Sequence, residues 1–354
     1  MRNGFNTAGF SEVVHEIKND PAEAKFVYSA KGRRSKITGL TVQVLPALLG
    51  TVKSPRQFSF SLKERWIPTP LGEDPIFTPM DLFFAGVGSC MMTTLVGGAS
   101  ARHLALESAV LDLASSTNSD EENLTTSVSA NFTLATISED ARCEELVGRV
   151  TQQSPNYVTL SSAAHVEIRS DALSSSEARG AEPSVISHAP VSFGDIAVDW
   201  ISGTQCLVSS GENSSDSSLR VDAPKQLTGV DWGPNPQEYL LAGLAAEISG
   251  LLFKHSFGTP FEGRSWEAVA TGVEDVRGFL NTDPEVEVGL QDIEVLVTPP
   301  TGAPEAVGSI VSRAISDSEI LTLLTHPTEI SLSWRRATHI ESTTKLALRP
   351  GVGE

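Results

Sequence analysis

Gly72-Glu73-Asp74-Pro75-Ile76-Phe77-Thr78-Pro79-Met80-Asp81-Leu82-Phe83-Phe84-Ala85-Gly86-Val87-Gly88-Ser89-Cys90 has an echo later in the same chain. The second stretch reads Gly229-Val230-Asp231-Trp232-Gly233-Pro234-Asn235-Pro236-Gln237-Glu238-Tyr239-Leu240-Leu241-Ala242-Gly243-Leu244-Ala245-Ala246-Glu247. Pro236 follows Pro79, Gly243 follows Gly86 and Glu247 follows Cys90, all at one offset of 157 residues with no gap. Gly, Asp, Pro, a carboxylate, Ala and Gly fall in register. The chain therefore reads as two copies of one domain. Glu247 stands where the first copy has Cys90, which predicts one working site and one degenerate site.

Working outward, 354 residues suffice for two domains that each bury a core. The formal charge of −18 argues against nucleic acid and anionic membranes as partners, since both are bound through clustered Lys and Arg. Three well-separated cysteines, Cys90, Cys143 and Cys206, cannot form a full set of disulfides and suit a reducing cytosol. The N-terminus lacks the apolar segment of a signal peptide. The apolar run Leu82 to Ala101 nearly reaches membrane-spanning length. It reads instead as a buried helix, because it is rich in Gly and Thr and its counterpart carries Glu247 and Lys254. The histidines form no HxxxH or HxH pair and there is no CxxC, so no metal is expected. No P-loop, dinucleotide fingerprint or nucleophile elbow is present, and no cofactor is expected.

Alternating or β-branched runs predict strands at Phe26–Tyr28, Leu40–Leu45 and Phe58–Leu62. Thr78 caps a long helix whose first turn holds Pro79 and Asp81. Strands at Ala109–Ser115 and Thr125–Thr136, a helix from about Ser138 to Val150 and a strand near Val166 follow. The same order resumes with strands at Ile196–Trp200 and Thr204–Ser209, a helix at Pro236–Phe253, strands at Trp266–Gly272 and Val286–Val297, a helix near Pro304 and a strand at Ile330–Trp334. The resulting division is a polar leader over 1–24, a first domain over 25–170 with Cys90, a linker over 171–184 and a degenerate second domain over 185–340.

Pro79-Met80-Asp81-Leu82 followed by small residues and Cys90 resembles the start of the central helix in the OsmC/Ohr family. The resemblance implies an α+β fold in which curved antiparallel sheets surround two central helices. Relatives are intertwined homodimers, so the two halves here would form an intramolecular pseudo-dimer. It also implies thiol-based reduction of organic hydroperoxides, with a reactive Cys resolved by a second Cys on the following helix. The sequence departs from that pattern at three places. Ser154, in Gln153-Ser154-Pro155, stands where the second thiol is expected. Met80 replaces an acid, leaving Asp81 beside it. The second copy has no Cys.

Cys90 is the main site candidate, either as a thiolate activated by the helix dipole and an arginine or as a buried structural Cys. Arg33 and Arg34, in Lys31-Gly32-Arg33-Arg34, are the candidate activating cations, or else a solvated basic turn. Asp81 joins them as the remaining motif acid. Glu238 and Gln237 could complete the site from the other copy. Glu247, inside an apolar helix, is either a repurposed acid or a structural partner of an arginine across the interface. Cys143 is out of register for resolving, and Cys206 reads as core. Three functions stay open. The first is a single-cysteine peroxidase acting on a small organic hydroperoxide, with an external thiol as reductant. The second is a non-redox enzyme using Cys90 on another apolar electrophile. The third is a non-catalytic binding protein.

Overall fold

The computed structural model describes residues 2–64, 76–120, 123–170, 195–211, 217–300 and 305–338. The expected linker over 171–184, most of the proline-rich connection before Thr78, and residues 339–340 lie outside them. The elements in order are α1 (Thr7–Asn19), β1 (Lys25–Ser35), β2 (Gly39–Val44), the short pair β3 (Leu48–Leu49) and β4 (Val52–Lys53), β5 (Phe58–Leu62), α2 (Pro79–Ala101), β6 (Ser108–Asp120), β7 (Asn123–Ala135), α3 (Asp140–Gln153), α4 (Pro155–Ser161) and β8 (Val166–Ser170). The second half contributes β9 (Ile196–Ser202), β10 (Gln205–Ser210), β11 (Leu219–Val221), α5 (Pro236–His255), β12 (Trp266–Asp275), β13 (Gln291–Thr298), α6 (Glu305–Ser316), α7 (Glu319–Thr325) and β14 (Glu329–Arg336).

This is an α+β fold with two sheets, and each sheet takes strands from both halves. One runs β5-β2-β1-β12-β13-β8, with β3 and β4 beside the start of β1, and the other runs β11-β10-β9-β6-β7-β14. The β13–β8 and β7–β14 pairs are parallel, and every other pair is antiparallel. Strand β1 thus reaches across to β12, with Lys25 opposite Asp275 and Arg34 opposite Trp266, as β6 reaches across to β9. Alternation explains the inward faces: Phe26, Tyr28 and Ala30 on β1, and Trp266, Ala268 and Ala270 on β12, are buried.

Helices α2 and α5 lie between the sheets and pack on each other. Each opens with the same capping box. Thr78 and Asp81 exchange bonds at the start of α2, and Asn235 and Glu238 do so at α5, each box preceding a first-turn proline. Both helices are apolar all round because both are enclosed. At the crossing stand the two register-matched glycines. A Cβ on Gly86 would lie 2.5 Å from the Pro236 carbonyl oxygen, and one on Gly243 would lie 2.7 Å from that of Pro79. Helix α2 is long and apolar enough to cross a membrane, yet 78% of its apolar window is buried inside the fold.

The structure departs from expectation at three levels. The polar leader contains α1, whose Ile17 is buried. The helix expected to end near Val150 continues to Gln153 and restarts as α4 after a break at Ser154, and α7 likewise follows α6 in the second half. Strand β13 begins at Gln291 rather than Val286, because the preceding Gly289 takes a φ of +121°, which ends any extended run.

Candidate functional site

Cys90 opens the fourth turn of α2, 3% exposed. Its sulfur faces the start of α4. The Ser154 hydroxyl donates to Sγ at 3.3 Å and the Asn156 backbone N–H donates at 3.4 Å. Asn156 Nδ2 donates to the Gly86 carbonyl at 2.9 Å, which ties α4 to α2 at this point. Burial nevertheless pushes the Cys90 thiol up to about 12, with the two hydrogen bonds opposing and the Glu274 charge adding to it. Burial thus works against the dipole-activated thiolate, one of the two forms the sequence left open.

Neither expected cation stands beside Cys90, because β1 packs on α5. Gly32 comes so close to α5 that a Cβ would sit 2.1 Å from the Ala245 carbonyl oxygen. Arg34, 2% exposed, forms an ion pair with Glu64 at 2.6 Å and stacks 4.3 Å from the centre of the Phe253 ring. Arg33 points outward to Glu267 at 3.4 Å. Asp81 is likewise a cap rather than a reacting group. Its Oδ2 accepts from Thr78 N at 2.7 Å, and its Oδ1 accepts from the Ser210 hydroxyl at 3.1 Å. Glu238 is buried at the α5 cap and pairs with Arg56 at 2.7 Å; Arg56 also reaches Asp231 at 3.3 Å. Burial raises Glu238 above the ordinary carboxylate range and the guanidinium opposes that.

Glu247 pairs with no arginine among the described residues. It occupies in α5 the place that Cys90 occupies in α2, and it faces the start of α7 as Cys90 faces the start of α4. Its carboxylate accepts from the Ser318 hydroxyl, from Glu319 N at 3.2 Å and from Ile320 N at 3.1 Å. Ser318 caps α7, and Ser154 occupies the capping position of α4. One half therefore seats a sulfur, and the other an acid, in the same cradle of a serine hydroxyl and a backbone N–H. Burial pushes Glu247 up to about 7.

Three groups that the sequence reading passed over or left at the margin complete the site. Gln237 lines the cavity beside Cys90 and donates to Glu274 at 3.0 Å; Tyr28 donates to the same carboxyl at 3.2 Å. Glu274, 1% exposed, is pushed up to about 8 by burial and carries its proton at neutral pH. Asp222 accepts from Thr204 at 2.6 Å, Val230 N at 2.9 Å and Trp232 N at 3.1 Å, and so holds the loop that walls the cavity at Ala223, Pro224 and Asn235. The N-terminal segment forms another wall. Asn3 bonds to Leu104 O and Leu106 N, each at 3.0 Å, and seats Phe5 and Phe10 over α2. The resulting cavity is about 330 Å³, with Cys90 in its wall. Cys143 and Cys206 are buried and free, and neither lines it. Among the described residues no group of three or more His, Cys, Asp or Glu side chains is placed to hold a metal ion.

The family model for OsmC-like proteins matches residues 72–169, which run from the approach to α2 through β8. No curated protein matches the chain. Among solved structures, an OsmC-like protein from Mycoplasma pneumoniae aligns at 11% identity over 37% of this chain and 84% of its own, with a TM-score of 0.27. Residues 72–169 are thus similar to OsmC-like proteins, and Cys90 falls within them.

Proposed function

We propose that this protein is a single-cysteine peroxidase acting on organic hydroperoxides in a reducing, cytosolic compartment. One observation carries the reading: the Cys90 sulfur opens onto a largely apolar cavity and has a hydroxyl, Ser154 Oγ, 3.3 Å away where a resolving thiol is expected. In the first step the sulfur attacks the terminal peroxide oxygen. The S–O bond forms as the O–O bond breaks, the thiol proton ends on the departing alkoxide, and Cys90 becomes a sulfenic acid. Ser154 Oγ–H and Asn156 N–H hold the sulfur as its proton leaves. An external thiol then displaces water from the sulfenic acid, and a second thiol reduces the mixed disulfide. The tandem arrangement supports reading the halves as two copies, of which only the first performs this chemistry.

The raised proton affinity of Cys90 favours a second reading, a ligand-binding protein whose cavity the thiol lines without reacting. Intact mass after one equivalent of cumene hydroperoxide separates the two. The peroxidase gains one oxygen at Cys90 and loses it again with excess dithiothreitol. An unchanged mass sinks the peroxidase and leaves the binding protein.

A further inference from the structure

The cavity does not end at the thiol. From Cys90 it follows one face of α2 past Thr93, Gly97 and Gly98 to Arg102, with Arg149 of α3 beside it. Cys90 and Arg102 are 12 residues apart in sequence, about 18 Å along the helix axis. Phe5, Phe10, Leu227 and Leu280 supply apolar wall between the ends. In a chain with 44 acidic and 26 basic residues, the only charged side chains lining this cavity among the described residues are these two arginines.

Neither arginine is used up by its neighbours. Arg102 donates one N–H, from Nη1, to the Gly98 carbonyl at 3.2 Å, and its other N–H groups meet no acceptor among the described residues. Arg149 gives Nε and Nη2 to Glu145, at 3.1 and 2.9 Å, which leaves Nη1. Desolvation and the Arg149 charge lower the proton affinity of Arg102, and the nearby Glu145 carboxylate opposes them. Planar guanidinium groups offer paired donors to a carboxylate.

We propose that Arg102 and Arg149 form an anion subsite that holds the carboxylate of a long-chain, fatty-acid-like ligand, with its apolar tail lying along α2 toward Cys90. The subsite shares its cavity with the peroxidase reading and rests on it for Cys90's role, but binding itself needs no redox step.

Titration calorimetry on the full chain with dodecanoate and with its uncharged counterpart dodecanol tests this. Dodecanoate should bind about tenfold tighter than dodecanol or better. The double variant Arg102→Gln/Arg149→Gln should lose that preference while dodecanol binds as before. Gly97→Leu should weaken both ligands, since a Cβ there already touches the Phe5 ring at 3.9 Å and a longer side chain fills the channel. Equal affinity for the two ligands, failure of both to bind, or a preference that survives the double variant overturns the proposal. So does dodecanoate binding unaffected by Gly97→Leu. A preference that holds while Cys90 stays unoxidised by any hydroperoxide sinks the peroxidase and leaves the subsite standing.

Discussion

Serine hydroxyls at equivalent helix starts serve a sulfur in one half and a carboxylate in the other, and chemistry at these two residues is separable by experiment. Burial pushes Cys90 up to about 12, so its thiolate fraction is small at neutral pH. Alkylation by a neutral reagent should rise about tenfold per pH unit up to about pH 10. A rate that levels off near neutrality would mean an activated thiolate and contradict the geometry. Ser154→Cys places a thiol where Oγ now sits 3.3 Å from Sγ. Treated with hydroperoxide, that variant should lose two hydrogens as Cys90 and the introduced thiol form a disulfide, whereas the native chain gains an oxygen; an unlinked variant would show that α4 cannot supply a resolving group. Glu274 gives a pH signature in stability. Below about pH 4.5 the folded and unfolded chains both protonate it; up to about 8 only the folded chain does; above that the buried charge destabilises. Stability should therefore fall as pH rises across that window. Glu274→Gln should remove Glu274's share of the fall, measured as urea midpoints at the two ends; an unchanged pH slope would refute the assignment.

At the scale of elements, the crossing of α2 and α5 rests on two missing side chains. Gly86→Ala and Gly243→Ala each push a methyl into backbone of the opposite helix, which cannot turn aside. Each should cost about 1–3 kcal/mol, more than the ~1 kcal/mol that alanine gains in helix propensity. Gly148→Ala, on α3 with nothing within 4 Å of its Cβ, should be neutral or stabilising by up to about 1 kcal/mol. Urea midpoints decide it, and Gly86→Ala as stable as Gly148→Ala would place the contact elsewhere. These helices were legible in sequence because Thr78-Pro79 and Asn235-Pro236 spell a cap and a first turn, and Cys90 was legible because the repeat isolates it. Other elements had signals that went unread. Phe10, Val13, Val14 and Ile17 fall at helical spacing in α1, and Ser154-Pro155 is itself a helix-start pair. Strand β11, three residues long, is too short for any period to declare. The partners of Arg34 and Glu238 were illegible for a different reason: Glu64 and Arg56 find them through packing, and no spacing along the chain encodes those distances.

Shared sheets make the whole molecule one cooperative body. Without β12 and β9, residues 1–184 leave β1 and β6 each with an unpaired edge. Expressed alone, that fragment should aggregate or self-associate, and co-expression with residues 185–354 should recover a soluble pair; the intact chain should melt in a single transition. A monomeric fragment 1–184 with its own sharp melt would contradict this. The same cross-pairing shapes how the protein is made. Arg34 leaves the ribosome long before Trp266, its partner across the sheet. At typical synthesis speeds of about 5–20 residues per second, the delay is roughly 10–50 s. Throughout that interval the nascent first half carries bare strand edges, which can join those of neighbouring nascent chains. Yield in a living cell therefore turns on whatever shelters β1 and β6 until the rest of the chain arrives.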